Sequence, residues 1–232
     1  MNIEVTQGNT IADISMLKLP AKGYRELSGK AKSYKIVKRT ADVILSSIAL
    51  IALLPFFVII AAIIKLESKG PVFFKHTRIG KNGKIIKIYK FRTMVDKAEE
   101  LIKEFTPEQM KEFKENYKLS NDPRITKVGK ILRSTSIDEL PQLLNILKGD
   151  LSIIGPRPVV ADELKKYGTN IEKFLSVTPG LTGYWAANGR SCTSYEQRMQ
   201  MELFYVDNIS FKMDVKVFFK TIDAVIRRMG AM

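Results

Sequence analysis

The sequence has very little cysteine or histidine: Cys192 and His76 are the single residues of their kinds. A lone cysteine excludes an internal disulfide and a metal site built from several cysteines. A lone histidine excludes a zinc site built from several histidines, and we expect no catalytic triad. The sequence also lacks a GxxxxGK[ST] loop, which argues against ATP hydrolysis. The chemistry must therefore use carboxylates, lysine and arginine, hydroxyl groups, or a metal ion held by oxygen atoms.

Acidic residues are scarce relative to basic ones. The 232 residues include 38 lysines and arginines against 24 aspartates and glutamates, which gives a formal net charge of +14. This balance indicates an anionic partner: a phospholipid surface, a phosphorylated substrate or a nucleic acid. The length suits one good-sized domain with an accessory segment.

Charge is missing altogether from the 22 residues between Val43 and Ile64. A helix of that length reaches about 33 Å, enough to cross a bilayer, so we expect a membrane-bound protein. Pro55 removes a helical hydrogen bond in the middle of the stretch. Both flanks are basic, whereas a spanning helix favours basic residues on one side. We predict a re-entrant helix over residues 34–66, broken at Pro55, and a spanning helix kinked at this proline is the alternative.

The rest of the chain is predicted to form two further parts. Residues 1–33 are a polar N-terminal tail without a cleavable signal pattern. Residues 67–232 form the catalytic domain, an α+β fold that is mainly helical with a small β-hairpin. The C-terminal helical stretch from Phe211 to Met229 is amphipathic, and both an interfacial position on the membrane and ordinary packing suit it.

The hairpin is predicted from alternating apolar residues over 72–79 and 84–91, which an Asn-Gly turn separates. It is very basic. Most of these charges suit a solvated or lipid-facing surface. Lys90 and Arg92, on either side of Phe91 at the end of the hairpin, are better placed to bind a phosphate group.

The central feature of the sequence is an acidic pair, Asp138–Glu139. Ser136 and Glu139 have the spacing of a capping box, so we predict that a helix begins here and ends at Gly149. Acidic residues in a first helical turn are common and complement the helix dipole. A carboxylate at this place is also suited to attack phosphorus as a nucleophile.

Two arginines flank the acidic pair, and another candidate ligand-binding segment lies further along the chain. Arg133 precedes the pair, and Arg157 follows it between two prolines; both suit phosphate oxygens. The run Asn188-Gly189-Arg190 is either a tight turn or a ligand loop that offers backbone N–H groups and a guanidinium.

Four segments resemble, in their order, the bacterial sugar transferase family of monotopic polyprenyl-phosphate phosphoglycosyl transferases. They are KRTADVIL, GPVFFKHTRIGKNGKIIKIYKFRTM, DPRITKVGKILRSTSIDELPQLLNILKGDLSIIGPRP and PGLTGYWAANGR. The resemblance covers about residues 34–225. Many members have Ser-Pro at the break in the membrane helix, where this chain has Leu54-Pro55, and long members carry additional spanning helices.

The resemblance implies an enzyme that transfers a sugar-1-phosphate from a nucleotide sugar, with UDP expected, to undecaprenyl phosphate, with Mg²⁺ as cofactor. Asp138 would be the nucleophile of a covalent phosphosugar intermediate, and Glu139 would assist through the metal or as a base. Lys90, Arg133 and Arg157 would bind phosphates. The reaction would begin exopolysaccharide, capsule, O-antigen or glycoprotein glycan assembly.

The same resemblance places the enzyme on the cytoplasmic face of the bacterial inner membrane. Its partners would be the nucleotide sugar, the lipid carrier and membrane lipids, with no nucleic acid; a homodimer is left open. Two competing hypotheses remain from the residues alone. One is a non-catalytic membrane-anchored module that binds anionic lipid or nucleic acid. The other is an enzyme with a spanning anchor that transfers in one step without a covalent intermediate.

Overall fold

The computed structural model describes residues 29–116, 119, 121–189 and 193–226. The fold is mainly helical with a small antiparallel hairpin, as predicted. In chain order the helices are α1 Gly29–Glu67, α2 Pro107–Asn116, α3 Lys127–Ser134, α4 Leu143–Lys148, α5 Ala161–Lys165, α6 Ile171–Leu175, α7 Tyr184–Asn188, α8 Tyr195–Asp207 and α9 Phe211–Ile226. The strands are β1 Phe73–Ile79, β2 Ile85–Phe91, β3 Ser152–Ile154 and β4 Gly180–Thr182. Short 3₁₀ helices lie at Lys81–Gly83, Glu100–Glu104, Ile137–Gln142 and Gly168–Asn170.

The predicted hairpin is present as the antiparallel pair β1–β2. Its register runs from Phe73 opposite Phe91 to Ile79 opposite Ile85. The chain reverses through Asn82 and Gly83, whose φ angles are 56° and 75°. Asparagine and glycine tolerate this left-handed backbone better than other residues, which is why the Asn-Gly signal identifies the turn correctly.

A second pair of strands was not expected from the sequence. β3 and β4 are parallel, with Ser152 opposite Gly180 and Ile154 opposite Thr182. A Cβ atom at Gly183 would collide with the carbonyl oxygen of Gly155, so the close approach of these two segments requires glycine at position 183. This pair fixes the loop that follows β3, on which Arg157 lies.

Helix α1 carries the long uncharged stretch. Among the described residues, it is the single helix long and apolar enough to cross a membrane. It begins at Gly29, inside the segment predicted as tail, and it continues through Pro55 without a gap in the helix. The rest of the tail, 1–28, lies outside the described residues. The re-entrant course of α1 stays a prediction.

Both ends of α1 are bonded to the same folded body. Near its start, Arg39 donates to the carbonyl oxygens of Ile146 and Leu147, and the carboxylate of Asp42 accepts the N–H of Ile153. Further along, two groups of α1 side chains pack on different parts of the core. The first group is Ala49, Leu50 and Leu53, and the second is Phe57, Ile60 and Ile64. The opposite face is exposed and apolar, including Ile44, Ile48, Ile51, Leu54, Phe56 and Ile59.

The C-terminal helix α9 is tied to α1 by a buried carboxylate. Asp214 accepts hydrogen bonds from Tyr34 and Tyr205 at 2.7 and 2.6 Å, and from the ammonium of Lys38 at 2.6 Å. The outer face of α9 exposes a run of apolar side chains: Phe211, Val215, Phe218, Phe219, Ile222 and Val225. An interfacial position for this helix stays a prediction.

Candidate active site

The acidic pair lies in the 3₁₀ helix Ile137–Gln142, which leads into α4. The predicted capping box is wrong: Ser136 has a left-handed backbone, with φ 58°, and its side chain makes no capping hydrogen bond. Pro141 supplies the reason, because it has no N–H to donate to the first turn of an α-helix. The α-helix therefore begins only at Leu143, and it ends at Gly149, where φ is 82°, as predicted.

Lys90 joins the acidic pair from the end of β2. Its ammonium donates to Glu139 Oε1 at 2.6 Å and lies 3.8 Å from Asp138 Oδ2. The structure thus brings together three residues that the sequence analysis assigned to one site. A lysine beside two carboxylates partly neutralises them and places a positive charge where a phosphate group would meet the carboxylates.

Asn145 holds Lys90 at this distance, although the sequence analysis did not identify it. This fully buried side chain accepts a hydrogen bond from Tyr89 N at 2.9 Å and donates to the carbonyl oxygen of Lys87 at 2.7 Å. It therefore bonds α4 to the backbone of β2 just before Lys90. The sequence feature that could have identified Asn145 is its polar side chain between Leu143 and Ile146, on the apolar side of the helix, because a buried polar group needs hydrogen-bond partners.

Asp138 is 7% exposed. Its burial raises the pKa of the carboxyl group to about 6; Lys90 lowers this pKa, Glu139 raises it, and Arg133 lowers it. The group is thus mainly ionised at neutral pH while it is shielded from water. An ionised, poorly solvated carboxylate has the properties of a nucleophile in enzymes.

A cleft of about 500 Å³, counted to its open mouth, begins beside Glu139 and Lys90. Three cationic side chains line it: Arg78, Lys90 and Arg157. The remaining lining includes His76, Ile88, Gln142, Pro158, Leu181, Thr182, Trp185, Ala186 and Glu202. A cleft with several cations next to an acidic pair suits an anionic ligand that carries phosphate groups.

Arg78 is a cleft residue that the sequence analysis did not single out. The sequence could have indicated Arg78, because side chains two positions apart in a strand lie on the same face, as Arg78 and His76 do in β1. Ile88 of β2 lies opposite His76. Burial, and then the neighbouring Arg157, lower the pKa of Arg78 to about 10. Burial and the charges of Arg78, Lys90 and Arg157 lower the pKa of His76 to about 3, so this imidazole is neutral. Burial is the main cause of both shifts, and the neighbouring cations lower both pKa values further, a contribution that a bound anion would offset.

Arg157 also lines the cleft. Its guanidinium is exposed and lies 5.8 Å from the centre of the Trp185 ring, a cation–π distance. Its backbone N–H donates to Glu202 Oε1 at 3.1 Å. Arg157 lines the same cleft as Glu139, together with Trp185 and Glu202, and its phosphate-binding role stays a prediction.

This site occurs in a chain whose sequence matches a known family over most of its length. Residues 33–228 match the family described as bacterial sugar transferase. The chain belongs to the bacterial sugar transferase family. The prediction made from the ordered motifs is confirmed, and the chain is an enzyme rather than a non-catalytic module.

Individual relatives agree with this assignment. Exopolysaccharide production protein ExoY of Rhizobium meliloti is 45% identical over 199 residues, which cover 84% of this chain and 88% of that protein. The undecaprenyl-phosphate galactose phosphotransferase of Salmonella typhimurium is 41% identical over 203 residues, 86% of this chain and 42% of that protein. The UDP-glucose:undecaprenyl-phosphate glucose-1-phosphate transferase of Escherichia coli is 36% identical over 197 residues, 81% of this chain and 40% of that protein.

Arg92 of this sugar transferase does not line the cleft. Its guanidinium is buried and donates to the carbonyl oxygen of Ser68 at 2.7 Å and to the hydroxyl of Ser68 at 2.9 Å. The chain leaves β2 after Phe91, and this turns Arg92 towards the C-terminal end of α1, where unpaired carbonyl groups attract a cation. This placement disagrees with the predicted phosphate-binding role, because Arg92 is bonded to the C-terminal end of α1.

Of the other predicted site residues of the transferase, Arg133 lies near the acidic pair, whereas Asn188 and Gly189 do not line the cleft. Arg133 donates to Thr93 Oγ1 at 2.9 Å and lies near enough to Asp138 to lower its pKa. Asn188 is engaged elsewhere, because it donates to the carbonyl oxygen of Tyr184 and accepts from Lys220, both at 2.6 Å. Gly189 forms the turn after it. Neither residue lines the cleft, and Arg190 lies outside the described residues.

The predicted metal site of the transferase is not a complete protein cage. Among the described residues, no three histidine, cysteine, aspartate or glutamate side chains are grouped to hold a metal ion. Asp138 and Glu139 nevertheless fit Mg²⁺, which usually binds one or two carboxylates together with water and substrate phosphates. The donor set of two carboxylates beside a phosphate-accepting cleft matches that pattern.

Proposed function

We propose that the protein transfers a sugar-1-phosphate from a nucleoside diphosphate sugar, probed first with UDP-sugars, to undecaprenyl phosphate and releases the nucleoside monophosphate. The observation that carries the proposal is the contact between Lys90 and the acidic pair at the mouth of a cationic cleft. Relatives named for transfer to undecaprenyl phosphate support the acceptor. The reaction would be the first membrane step in the assembly of a glycan such as an exopolysaccharide.

The proposed chemistry has two displacements at one phosphorus atom. In the first, an Asp138 carboxylate oxygen attacks the phosphorus that carries the sugar, and the bond from that phosphorus to the bridging oxygen breaks. The nucleoside monophosphate leaves, and an aspartyl phosphosugar remains. In the second, a phosphate oxygen of undecaprenyl phosphate attacks the same phosphorus, and the Asp138 carboxylate leaves. The burial of Asp138 and its ionisation at neutral pH support the nucleophilic role.

Glu139 and Lys90 would organise the reacting groups. Their ion pair at 2.6 Å holds the Glu139 carboxylate beside Asp138. Asp138 and Glu139 would hold Mg²⁺, which when bound neutralises the charge of the phosphate oxygens. Lys90 would then lie beside the transferred phosphoryl group. Glu139 is also positioned to take part as a base toward the lipid phosphate.

The cleft would bind the diphosphate and the nucleoside of the donor. Arg78 and Arg157 both line it, and both suit bidentate contacts with phosphate oxygens. Trp185 presents an aromatic ring beside Arg157, and such a surface suits stacking of a base. The neutral imidazole of His76 adds a polar group without adding a charge.

We further propose that α1 is re-entrant and that the catalytic body lies on the cytoplasmic face of the inner membrane. Support comes from the bonds at both ends of α1 to one body, through Arg39 and through Arg92. Cysteines at Ser33 and Lys69, in a Cys192→Ser background, test this topology. Both should resist a membrane-impermeant thiol reagent in intact cells and react in opened ones. Labelling of one site alone in intact cells would favour a spanning helix. A homodimer stays a prediction.

The activity itself is tested by nucleoside monophosphate release. Purified full-length protein is incubated with Mg²⁺ and a panel of UDP-sugars, with and without undecaprenyl phosphate, alongside Asp138→Asn. Multiple turnovers that depend on the lipid and vanish in Asp138→Asn are the expected result. Turnover that persists in Asp138→Asn would replace the covalent route with a one-step transfer.

A further inference from the structure

A buried glutamate lies behind the cleft and touches Arg157. Glu202, on α8, is 1% exposed, and its Oε1 accepts the backbone N–H of Arg157 at 3.1 Å. Because Pro156 and Pro158 have no N–H, this is the one backbone donor in the Pro-Arg-Pro run. Glu202 therefore fixes the backbone at the point from which the Arg157 side chain enters the cleft.

The surroundings of Glu202 do not explain it as a structural ion pair. None of the ion pairs between described residues includes Glu202, and its second oxygen, Oε2, has no hydrogen-bond partner among them. The nearby Arg198 is paired instead with Glu163 at 3.1 Å. A buried carboxylate with one unpaired oxygen is costly, and an apolar side chain of the same size would avoid that cost. The contact with Arg157 is the feature that such a replacement would lose.

The Arg157 side chain has few contacts of its own that would fix its direction. Its guanidinium makes no hydrogen bond with a described residue and rests over the Trp185 ring at 5.8 Å. The direction of the side chain thus depends on its backbone and on this ring. An arginine held in place before a ligand arrives loses less conformational freedom when it binds phosphate oxygens.

We propose that Glu202 is a positioning residue for Arg157: its carboxyl oxygen fixes the Arg157 backbone so that the guanidinium points into the cleft to bind the donor diphosphate. The inference rests on the proposed function of the cleft as the nucleotide site. Glu202 acts through Arg157 and does not itself contact the phosphates. Its removal should therefore weaken nucleotide binding and leave binding of the lipid acceptor unchanged.

The test measures binding of UDP by titration calorimetry on the purified full-length protein, together with the KM of each substrate. Glu202→Leu removes the acceptor and fills the same volume, whereas Glu202→Gln keeps a carbonyl oxygen for the Arg157 N–H. Loss of a buried hydrogen bond predicts about tenfold weaker UDP binding for Glu202→Leu. Glu202→Gln should stay within about twofold of the wild type, since the acceptor remains.

A double-mutant cycle with Arg157→Ala separates positioning from an independent role. If Glu202 acts through Arg157, Glu202→Leu should add little further loss in an Arg157→Ala background. Asp207→Ala is the matched control, because this carboxylate is on the same helix but is exposed and pairs with Lys173 at 2.6 Å. It should bind UDP like the wild type.

Three results would overturn the inference. The first is unchanged UDP binding in Glu202→Leu. The second is a double variant in which the losses of UDP affinity from Glu202→Leu and Arg157→Ala multiply. The third is a loss of UDP affinity in Glu202→Gln as large as that in Glu202→Leu. In each of these the wild type binds UDP, so the proposed function stands. A wild type that neither binds UDP nor turns over any UDP-sugar would instead overturn the nucleotide site, and the positioning role with it.

Discussion

Arg39 of α1 donates to the carbonyl oxygen of Leu147 at 2.7 Å, at the end of the helix that follows the acidic pair. The same guanidinium also bonds the carbonyl oxygen of Ile146. A cation at this place satisfies carbonyl groups that a helix end leaves unpaired and complements its dipole. The membrane segment is thereby bonded to α4, whose Asn145 in turn holds β2 beside the acidic pair.

Arg39→Ala should destabilise the protein through this connection. Hydrogen bonds from a charged group to buried acceptors contribute about 1.5–3 kcal/mol, so we expect a loss of that order. Thermal unfolding in detergent measures it. Lys35→Ala is the control, since Lys35 is an exposed residue one turn earlier on the same helix. Equal melting temperatures for the two variants would contradict the capping role.

Arg92 and Arg157 should give opposite results when each is removed. Arg92 is 8% exposed and bonded to the end of α1, so Arg92→Met should cost about 2–4 kcal/mol of stability and change the donor KM little. Arg157 is exposed in the cleft, so Arg157→Ala should raise the donor KM and leave the melting temperature unchanged. A raised donor KM in Arg92→Met at full stability would restore the phosphate-binding role.

His76 should remain neutral throughout the range in which most histidines titrate. Burial, followed by the charges of Arg78, Lys90 and Arg157, lowers its pKa to about 3. The imidazole is therefore deprotonated at any pH well above that value. Because the chain has one histidine, labelled-histidine NMR reads this imidazole directly. The resonances should not move between about pH 5 and pH 8, and in denaturant they should titrate near about 6.5. A folded-state midpoint near about 6.5 would contradict the buried position of this imidazole beside three cations.

Glu202 should make stability depend on pH. Burial is the main cause that raises its pKa from 4.5 to about 7 in the folded protein. The folded state therefore binds this proton more tightly, and stability falls as the pH rises from about 4.5 to about 7. Glu202→Gln removes this dependence, so it should be more stable than the wild type near pH 8, by up to about 3 kcal/mol.

The difference between the two proteins should shrink towards pH 5, where the folded wild type carries a protonated Glu202. Chemical denaturation at each pH measures it. A Glu202→Gln variant less stable than the wild type at pH 8 would show that the ionised carboxylate contributes more through Arg157 than its burial costs.

Local signals in the sequence predicted the elements that depend on local chemistry. Asn82-Gly83 identified the hairpin turn because few residues adopt its left-handed backbone, and Gly149 identified a helix end for the same reason. Lys90 was assigned to the site of the acidic pair through the family resemblance and not through a local signal, and its ammonium lies 2.6 Å from Glu139.

Features that depend on distant parts of the chain were not predictable in this way. The parallel pair β3–β4 consists of three-residue strands, too short for a periodic signal, and its paired residues lie 28 positions apart along the chain, Ser152 with Gly180 and Ile154 with Thr182. The capping box, by contrast, failed for a local reason, because Pro141 prevents the turn that Ser136 would begin. Arg92 was misassigned because its direction depends on where α1 ends in space, which its neighbours in sequence do not indicate.

The covalent intermediate on Asp138 is the central claim, and mass spectrometry tests it most directly. Full-length protein is incubated with Mg²⁺ and the UDP-sugar that supports turnover, without undecaprenyl phosphate, and its intact mass and peptides are measured. The account predicts an added sugar phosphate on the peptide that contains Asp138, its loss when the lipid is supplied, and no adduct on Asp138→Asn. Nucleoside monophosphate release that requires the lipid, with no adduct under any condition, would contradict it.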